Sequence, residues 1–244
     1  METPSKTSVR KAGSTVRRVS NDGGDPSAEL LDALDTIRAY RASFSYPLCK
    51  VNNGLRGFLH TLSIDAEVSQ RLKRMETIVD KITNRERGLD LTRMNDIGGC
   101  RIVLHDNSID DLRRIQEWIK WRWDGQLDPR RERDYIANPR ESGYRSMHLV
   151  AIRDDRPIEI QIRTQRMHEW AQLIESLSQV FGENFKQDHG RSTVQEFGRS
   201  LSLVHQHLDG MYALTESDDE AFKYWSAELS DMLKQQISGE EGGQ

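Results

Sequence analysis

The sequence predicts an α/β protein: a small mixed β-sheet flanked by helices, with helical extensions at both ends. Three observations carry this prediction. Apolar and polar residues alternate strictly through Ile158-Glu159-Ile160-Gln161-Ile162-Arg163, the pattern of a strand with one face on a core. Gly98-Gly99 introduces a second short apolar run, Cys100–His105. Helical spacing precedes these strands (Leu30, Leu31, Leu34, Ile37, Tyr40) and follows them (Met167, Trp170, Ile174, Leu177, Val180).

In chain order, residues 1–25 mix Ser, Thr, Gly and basic residues without apolar periodicity, and read as a disordered basic tail. Residues 26–65 read as N-terminal helices, one starting at Ser27 and one opened by Pro47 and ending near Leu62. The core is placed at 66–182. Residues 67–73 are extended, and Glu76–Arg87 is helical with Ile78, Val79 and Ile82 on one face. Ser108 followed by Asp110 and Asp111 starts a helix that runs to about Trp121. Ser146–Ile152 and Ile158–Arg163 are strands divided by a turn at Asp154-Asp155-Arg156-Pro157. Residues 183–238 carry two further helices, at about 192–214 and 218–237, before a flexible tail at 239–244.

At 244 residues and 30% charged, the chain suits one water-facing domain with helical additions. No stretch approaches the ~18–20 apolar residues of a membrane span, and the opening Met1-Glu2-Thr3-Pro4-Ser5-Lys6 leads into no secretory apolar run. Cys49 and Cys100 form no CxxC and have no zinc spacing, which fits reduced thiols and a cytoplasmic location. The net charge of −4 argues against a general nucleic-acid coat, although residues 113–133 hold seven basic against four acidic side chains. No GxxxxGK[ST] loop occurs and no GxGxxG follows a strand, which argues against P-loop and Rossmann nucleotide binding. His105-Asp106 and His168-Glu169 lack the partner residues that a metal phosphohydrolase or zinc protease needs.

Glu159, Gln161 and Arg163 share one strand face, and Tyr144, Ser146 and His148 share a face of the preceding strand. An isolated half-exposed strand shows the same alternation without any function; two such strands side by side make the floor of a site. Asp96, just ahead of Gly98-Gly99, either caps a turn or pairs with Glu159 around Mg²⁺, which takes one or two carboxylates and leaves other positions to water and phosphate. Arg71 and Lys73 project together from an extended segment, and Thr77 and Lys81 share one face of the next helix. That cluster is either a solvated basic face or a triphosphate cradle.

Taken in order, Arg71-x-Lys73-x-x-x-Thr77-Ile78-x-x-Lys81, Asp96-Ile97-Gly98-Gly99-Cys100-Arg101, Asp134-Tyr135-Ile136 with Pro139, Ser142–His148 and Glu159–Thr164 resemble the synthetase domain of the RelA/SpoT family of alarmone synthetases. The resemblance implies a nucleotidyltransferase-like fold and transfer of the β,γ-pyrophosphate of ATP to a ribose 3′-hydroxyl. It also implies that Asp96 and Glu159 hold Mg²⁺, with Glu159 helping to deprotonate the hydroxyl. Arg71 and Arg101 would sandwich adenine, and Lys73 and Lys81, with Thr77 beside them, would take the ATP phosphates. Tyr144 would stack on the acceptor base, with Arg140 and His148 close to the acceptor and Gln161 and Arg163 either touching it or supporting the site. Thr77 departs from the usual serine but keeps its hydroxyl; Arg140 stands near the usual lysine. Without the hydrolase domain of the large members, the chain is expected to be a single-domain synthetase.

Two acceptors stay open: GDP or GTP, giving (p)ppGpp, and the 3′-CCA end of tRNA, giving a translation-blocking toxin. The net negative charge favours the nucleotide, and the basic 113–133 segment together with the basic N-terminal tail is what would serve a tRNA. A nucleotide-binding regulator without catalysis is a third reading. The helices after residue 190 are candidates for contacts with further copies of the chain or with an antitoxin.

Overall fold

The structure, a computed structural model, describes residues 3–22, 27–183, 185 and 192–241. Five strands form one sheet in the order β1-β2-β5-β4-β3. β1 (Ala66–Leu72) runs antiparallel to β2 (Gly98–Leu104), and β2 runs parallel to β5 (Arg156–Arg163). β5 is antiparallel to β4 (Met147–Arg153), and β4 to the short β3 (Arg133–Asp134). The β4–β5 hairpin closes on Asp154 and Asp155, both at positive φ (47° and 59°), the conformation that a two-residue hairpin turn requires and that aspartate tolerates.

One face of the sheet is the core. Ile158, Ile160 and Ile162 have no exposed surface, and Ile102, Leu104, Met147 and Leu149 join them. They pack against α3 (Ser45–Leu62), through Leu48, Val51, Leu55 and Leu59, and against α5 (Ile109–Arg122), through Leu112, Ile115 and Ile119. α2 (Ala28–Ala42) adds Ile37 and Tyr40. Helix starts follow their caps: Ser27 accepts from the amide of Leu30, Ser108 from Asp111, and Thr164 from Met167. A second apolar cluster gathers α6 (Gln165–Val180), α7 (Thr193–Leu208) and α8 (Glu216–Glu241) around Trp170, Ile174, Val194, Phe197 and Leu229, and Tyr144 reaches into it.

Five expectations are corrected. Residues 6–22 of the expected tail form α1 (Lys6–Asp22), with Val9, Ala12 and Val16 buried. Those three lie at i, i+3 and i+7, a stripe narrow enough to be lost among Ser, Thr and Gly. Arg10 pairs with Asp90 at 2.8 Å and Arg17 donates to the Leu89 carbonyl at 2.8 Å, fastening the helix to the segment before β2. The helix expected over Glu76–Arg87 is α4 (Met75–Asp80) followed by a π-turn at Lys81–Arg85. α7 stops at Leu208, ahead of Gly210 at φ 70°, and Val180 lies on the exposed side of α6 rather than in its buried stripe. The last helix runs on to Glu241, into the expected 239–244 tail, of which residues 242–244 lie outside the described residues.

Val16→Asp puts an unpartnered carboxyl group at a site 1% exposed and, buried in its neutral form, should cost several kcal/mol, on the order of 2–7. Limited proteolysis should then cut within residues 1–25 while the sheet stays protected; no change in cleavage would contradict the packing of α1.

Candidate functional site

The opposite face of the sheet carries the polar residues, and strand register sets them in two rows. Arg71 pairs with Gly99, Gly99 with Glu159, and Glu159 with Val150. One row along, Ser69 pairs with Arg101, Arg101 with Gln161, Gln161 with His148, and His148 with Arg133. Gly99 contributes no side chain between Arg71 and Glu159, so the floor there is bare backbone. Above it lies a cleft of about 260 Å³ lined by Arg71, Lys73, Asp96, Arg101, Glu159 and Gln161 together with Ser69, Gln70, Gly99 and Cys100. Sequence reasoning does not single out Ser69, Gln70 or Cys100; for Ser69 the signal is present, because it stands two residues from Arg71 on the same strand face.

At one end of the cleft, Asp96 sits between two lysines. Lys73 Nζ is 2.9 Å from Asp96 Oδ2 and Lys81 Nζ is 3.3 Å from Oδ1. Lys73 is placed by its own backbone, whose N–H donates to the Ile97 carbonyl at 2.8 Å and so extends the β1–β2 pairing by one residue. Lys81 is placed by the turn at which α4 widens, one turn after the half-buried Thr77. Burial alone would raise the Asp96 pKa; the two ammonium groups outweigh it and hold the carboxyl below its ordinary value.

At the other end, five side chains close a ring of hydrogen bonds. Glu159 Oε1 meets His148 Nδ1 at 3.1 Å, and His148 Nε2 meets the Tyr144 hydroxyl at 2.8 Å. Arg163 donates to that hydroxyl at 2.7 Å and to Gln161 Oε1 at 2.9 Å. Gln161 Nε2 donates back to Glu159 Oε2 at 3.0 Å. Burial would raise the Glu159 pKa, but the hydrogen bond and charge of His148 bring it below the ordinary value. His148 moves the other way: burial disfavours its cation, and the bonds to Glu159 and Tyr144 overcome that and raise it. For Tyr144, burial is opposed by Arg163 and His148, which together draw the phenol from 10 down to about 8.

Most of the sequence-predicted residues therefore meet. Arg71, Lys73, Asp96, Arg101, Glu159 and Gln161 line the cleft, and His148 and Arg163 join through the ring. Arg101 lies close enough to Arg163 and Arg71 for their charges to lower its pKa beyond the effect of burial, and its buried Nε meets no partner among the described residues. Such a guanidinium cluster invites an anionic or aromatic ligand. Tyr144 is only 9% exposed, edge-on to Tyr135, His148 and Trp170, so little of its ring is open for stacking in this arrangement. Arg140 lies outside the ring, on the surface above Tyr135. Asp134 serves the fold rather than the cleft. Arg113 holds its carboxylate, which also accepts from the amides of Ile136 and Ala137.

Among the described residues no three His, Cys, Asp or Glu side chains cluster as a metal cage. What the cleft offers is two carboxylates, ionised and near enough for Asp96 to raise the Glu159 pKa. Two hard oxygen donors with open space above them suit Mg²⁺, which keeps waters and substrate phosphates in its shell.

Residues 70–178 match the family described as the region found in RelA/SpoT proteins. The GTP pyrophosphokinase YjbM of Bacillus subtilis is 34% identical over 126 residues, which are 48% of this chain and 58% of that protein. The GTP pyrophosphokinase rsh of Brucella melitensis is 32% identical over 127 residues, 52% of this chain and 16% of that much longer protein. Among solved structures, the small alarmone synthetase 1 from Bacillus subtilis bound to its product pppGpp superposes with a TM-score of 0.59 at 25% identity, over 72% of this chain and 94% of that one. That structure shows the same mixed α/β fold. No described helix is long and apolar enough to cross a membrane.

Tyr144 should ionise at pH about 8, and phenolate absorbance should show that step. Tyr144→Phe should remove that step. Because the folded pKa lies below the unfolded one, wild-type stability should rise relative to this variant as pH climbs from about 8 towards 10.

Proposed function

We propose that this chain is a pyrophosphokinase of the RelA/SpoT family that transfers the β,γ-pyrophosphate of ATP to the ribose 3′-hydroxyl of GDP or GTP, making (p)ppGpp. The observation that carries the reading is the cleft itself. Asp96 and Glu159 share it, with a lysine pair at one end and a histidine–tyrosine–arginine ring at the other. The names of the relatives and the product-bound neighbour point the same way.

ATP belongs at the lysine end. Its phosphates would draw Lys73 and Lys81 from Asp96, while Arg71 and Arg101 would offer guanidinium planes to adenine. Thr77, one turn before Lys81, adds a hydroxyl on that side. Asp96 and Glu159 would hold Mg²⁺, which when bound supplies neutralising charge beside the phosphate oxygens. The acceptor belongs at the ring end. For its base to stack on Tyr144, the ring must open there, releasing the hydroxyl from His148 and Arg163. His148 then faces the acceptor, with Arg140 at the rim. Gln161 and Arg163 stay behind as supports of Glu159.

The bond changes are balanced without another reactant. The 3′-hydroxyl proton passes to Glu159, the 3′-oxygen bonds to the β-phosphorus, and the bond from that phosphorus to the α-phosphate oxygen breaks, releasing AMP. Ionised Glu159 is the form that can accept the proton, and His148 and Gln161 favour that form.

The basic 113–133 segment does not favour a tRNA acceptor. Arg113 is held by Asp134, Arg114 by Asp111, Lys120 by Glu132 and Arg131 by Asp128, so much of its charge is spent on neighbours.

With ATP labelled at the γ-phosphate, label should appear on GDP and GTP and not on deacylated tRNA run in parallel; label on tRNA alone would replace the proposed acceptor. Glu159→Gln should cut transfer at least ~100-fold with an unchanged circular dichroism spectrum. Full activity in that variant would remove Glu159 from the chemistry.

A further inference from the structure

We propose that Asp209, which lies outside residues 70–178, is a positioning residue for the acceptor side of the cleft: it clamps Arg145 and so fixes the backbone from which Tyr144 turns. The inference rests on the functional reading above and adds to it a part that the matched region does not contain.

Asp209 follows the last residue of α7, and its side chain has no exposed surface. Its carboxylate takes Arg145 on Oδ2 at 2.7 Å and Arg166, from the first turn of α6, on Oδ1. Arg145 is itself 3% exposed and touches the Met211 sulfur at 3.2 Å with its second terminal nitrogen. His205, one turn earlier on α7, does not compete as a cation. Burial, followed by the charge of Arg166, pushes its pKa down to about 4.

Two more contacts seat the same loop on the same helix. Arg199 donates to the Glu141 carbonyl at 2.7 Å. Gly143, at φ 90°, lies so close to α7 that an added Cβ would stand 2.8 Å from the Gly198 carbonyl oxygen and 2.8 Å from Ser202 Cβ. Gly198 in turn accepts from the Trp170 indole at 2.8 Å, which ties α7 to α6. The loop is thus held at 141, 143 and 145, on both sides of Tyr144. A buried ion pair stabilises a fold little better than apolar packing would; what it does well is fix register. Here the register fixed is that of the residue whose hydroxyl closes the ring on Glu159 through His148. Tyr144 can leave that ring by side-chain rotation alone, because the backbone beside it stays anchored.

The test compares the full-length wild type with Asp209→Asn and Arg199→Ala. In steady-state transfer, Asp209→Asn should raise the KM for GDP about tenfold and the KM for ATP less than about twofold; Arg199→Ala should raise the GDP value about threefold. In the nucleotide-free protein, amide hydrogen exchange should quicken across 142–147 in Asp209→Asn and stay slow across 100–104. Unchanged exchange with an unchanged GDP KM would overturn the clamp, as would parallel rises in both KM values. If Asp209→Asn does not fold, Arg199→Ala decides, and an unaltered GDP KM rejects the proposal. If the wild type transfers to no acceptor, the functional reading fails, and exchange across 142–147 alone judges whether Asp209 anchors the loop.

Discussion

Two carboxylates on the floor of one cleft repel each other, and the rest of the site answers to that repulsion. Asp96 is relieved by the ammonium groups of Lys73 and Lys81. Glu159 is relieved by His148 on one oxygen and Gln161 on the other. The two solutions differ in kind. Lysines are flexible point charges that can follow a phosphate when one arrives. The histidine–glutamine support is part of a closed ring, in which Arg163 and Tyr144 hold the members that hold Glu159. One carboxylate is paired by movable cations, the other by a closed ring of hydrogen bonds.

That ring exists because of strand pairing. Parallel pairing of β2 with β5 places Gly99 beside Glu159 and Arg101 beside Gln161, and antiparallel β4 brings His148 to Gln161. The same alternation sends Ile158, Ile160 and Ile162 into the core under α3 and α5. Shifting β5 by one residue would put Glu159, Gln161 and Arg163 into that core, so the apolar packing enforces the register on which the site depends. Beyond the sheet, the α6–α7–α8 cluster holds Tyr144 from the far side through Trp170.

How much of this was legible in the sequence follows from how local each cause is. The Ile158–Arg163 alternation and the Ser108 and Ser27 caps are local, and the elements they announce are present. The motifs around Asp96 and Glu159 come together as their order suggested, because strand register is set by the same alternation. α1 was not legible: buried Val9, Ala12 and Val16 gain meaning only from α2 and the Leu89–Leu91 segment that they meet. The π-turn at Lys81 has no composition signal, although Lys81 depends on it for its direction. The contacts of Asp209 were hidden for a similar reason. Arg145 is 64 residues away in sequence, and only the packing of α7 against the 140–146 loop brings them together. Tyr144 read as an open platform because its motif suggests one; the ring that occupies its hydroxyl is a tertiary fact.

The family match covers residues 70–178, which include Asp96 and Glu159, and the helices outside it supply α1 behind the lysine end and α7 behind the ring end. What this cleft must do, if its two ends hold ATP and a guanine nucleotide, is transfer a two-phosphate unit intact. Phosphorus NMR of a reaction containing ATP, Mg²⁺ and GDP should show AMP rising in step with a new 3′-linked diphosphate on guanosine. ADP as the nucleotide released, or free phosphate with no change at the guanosine 3′ position, would mean that the cleft performs a different reaction.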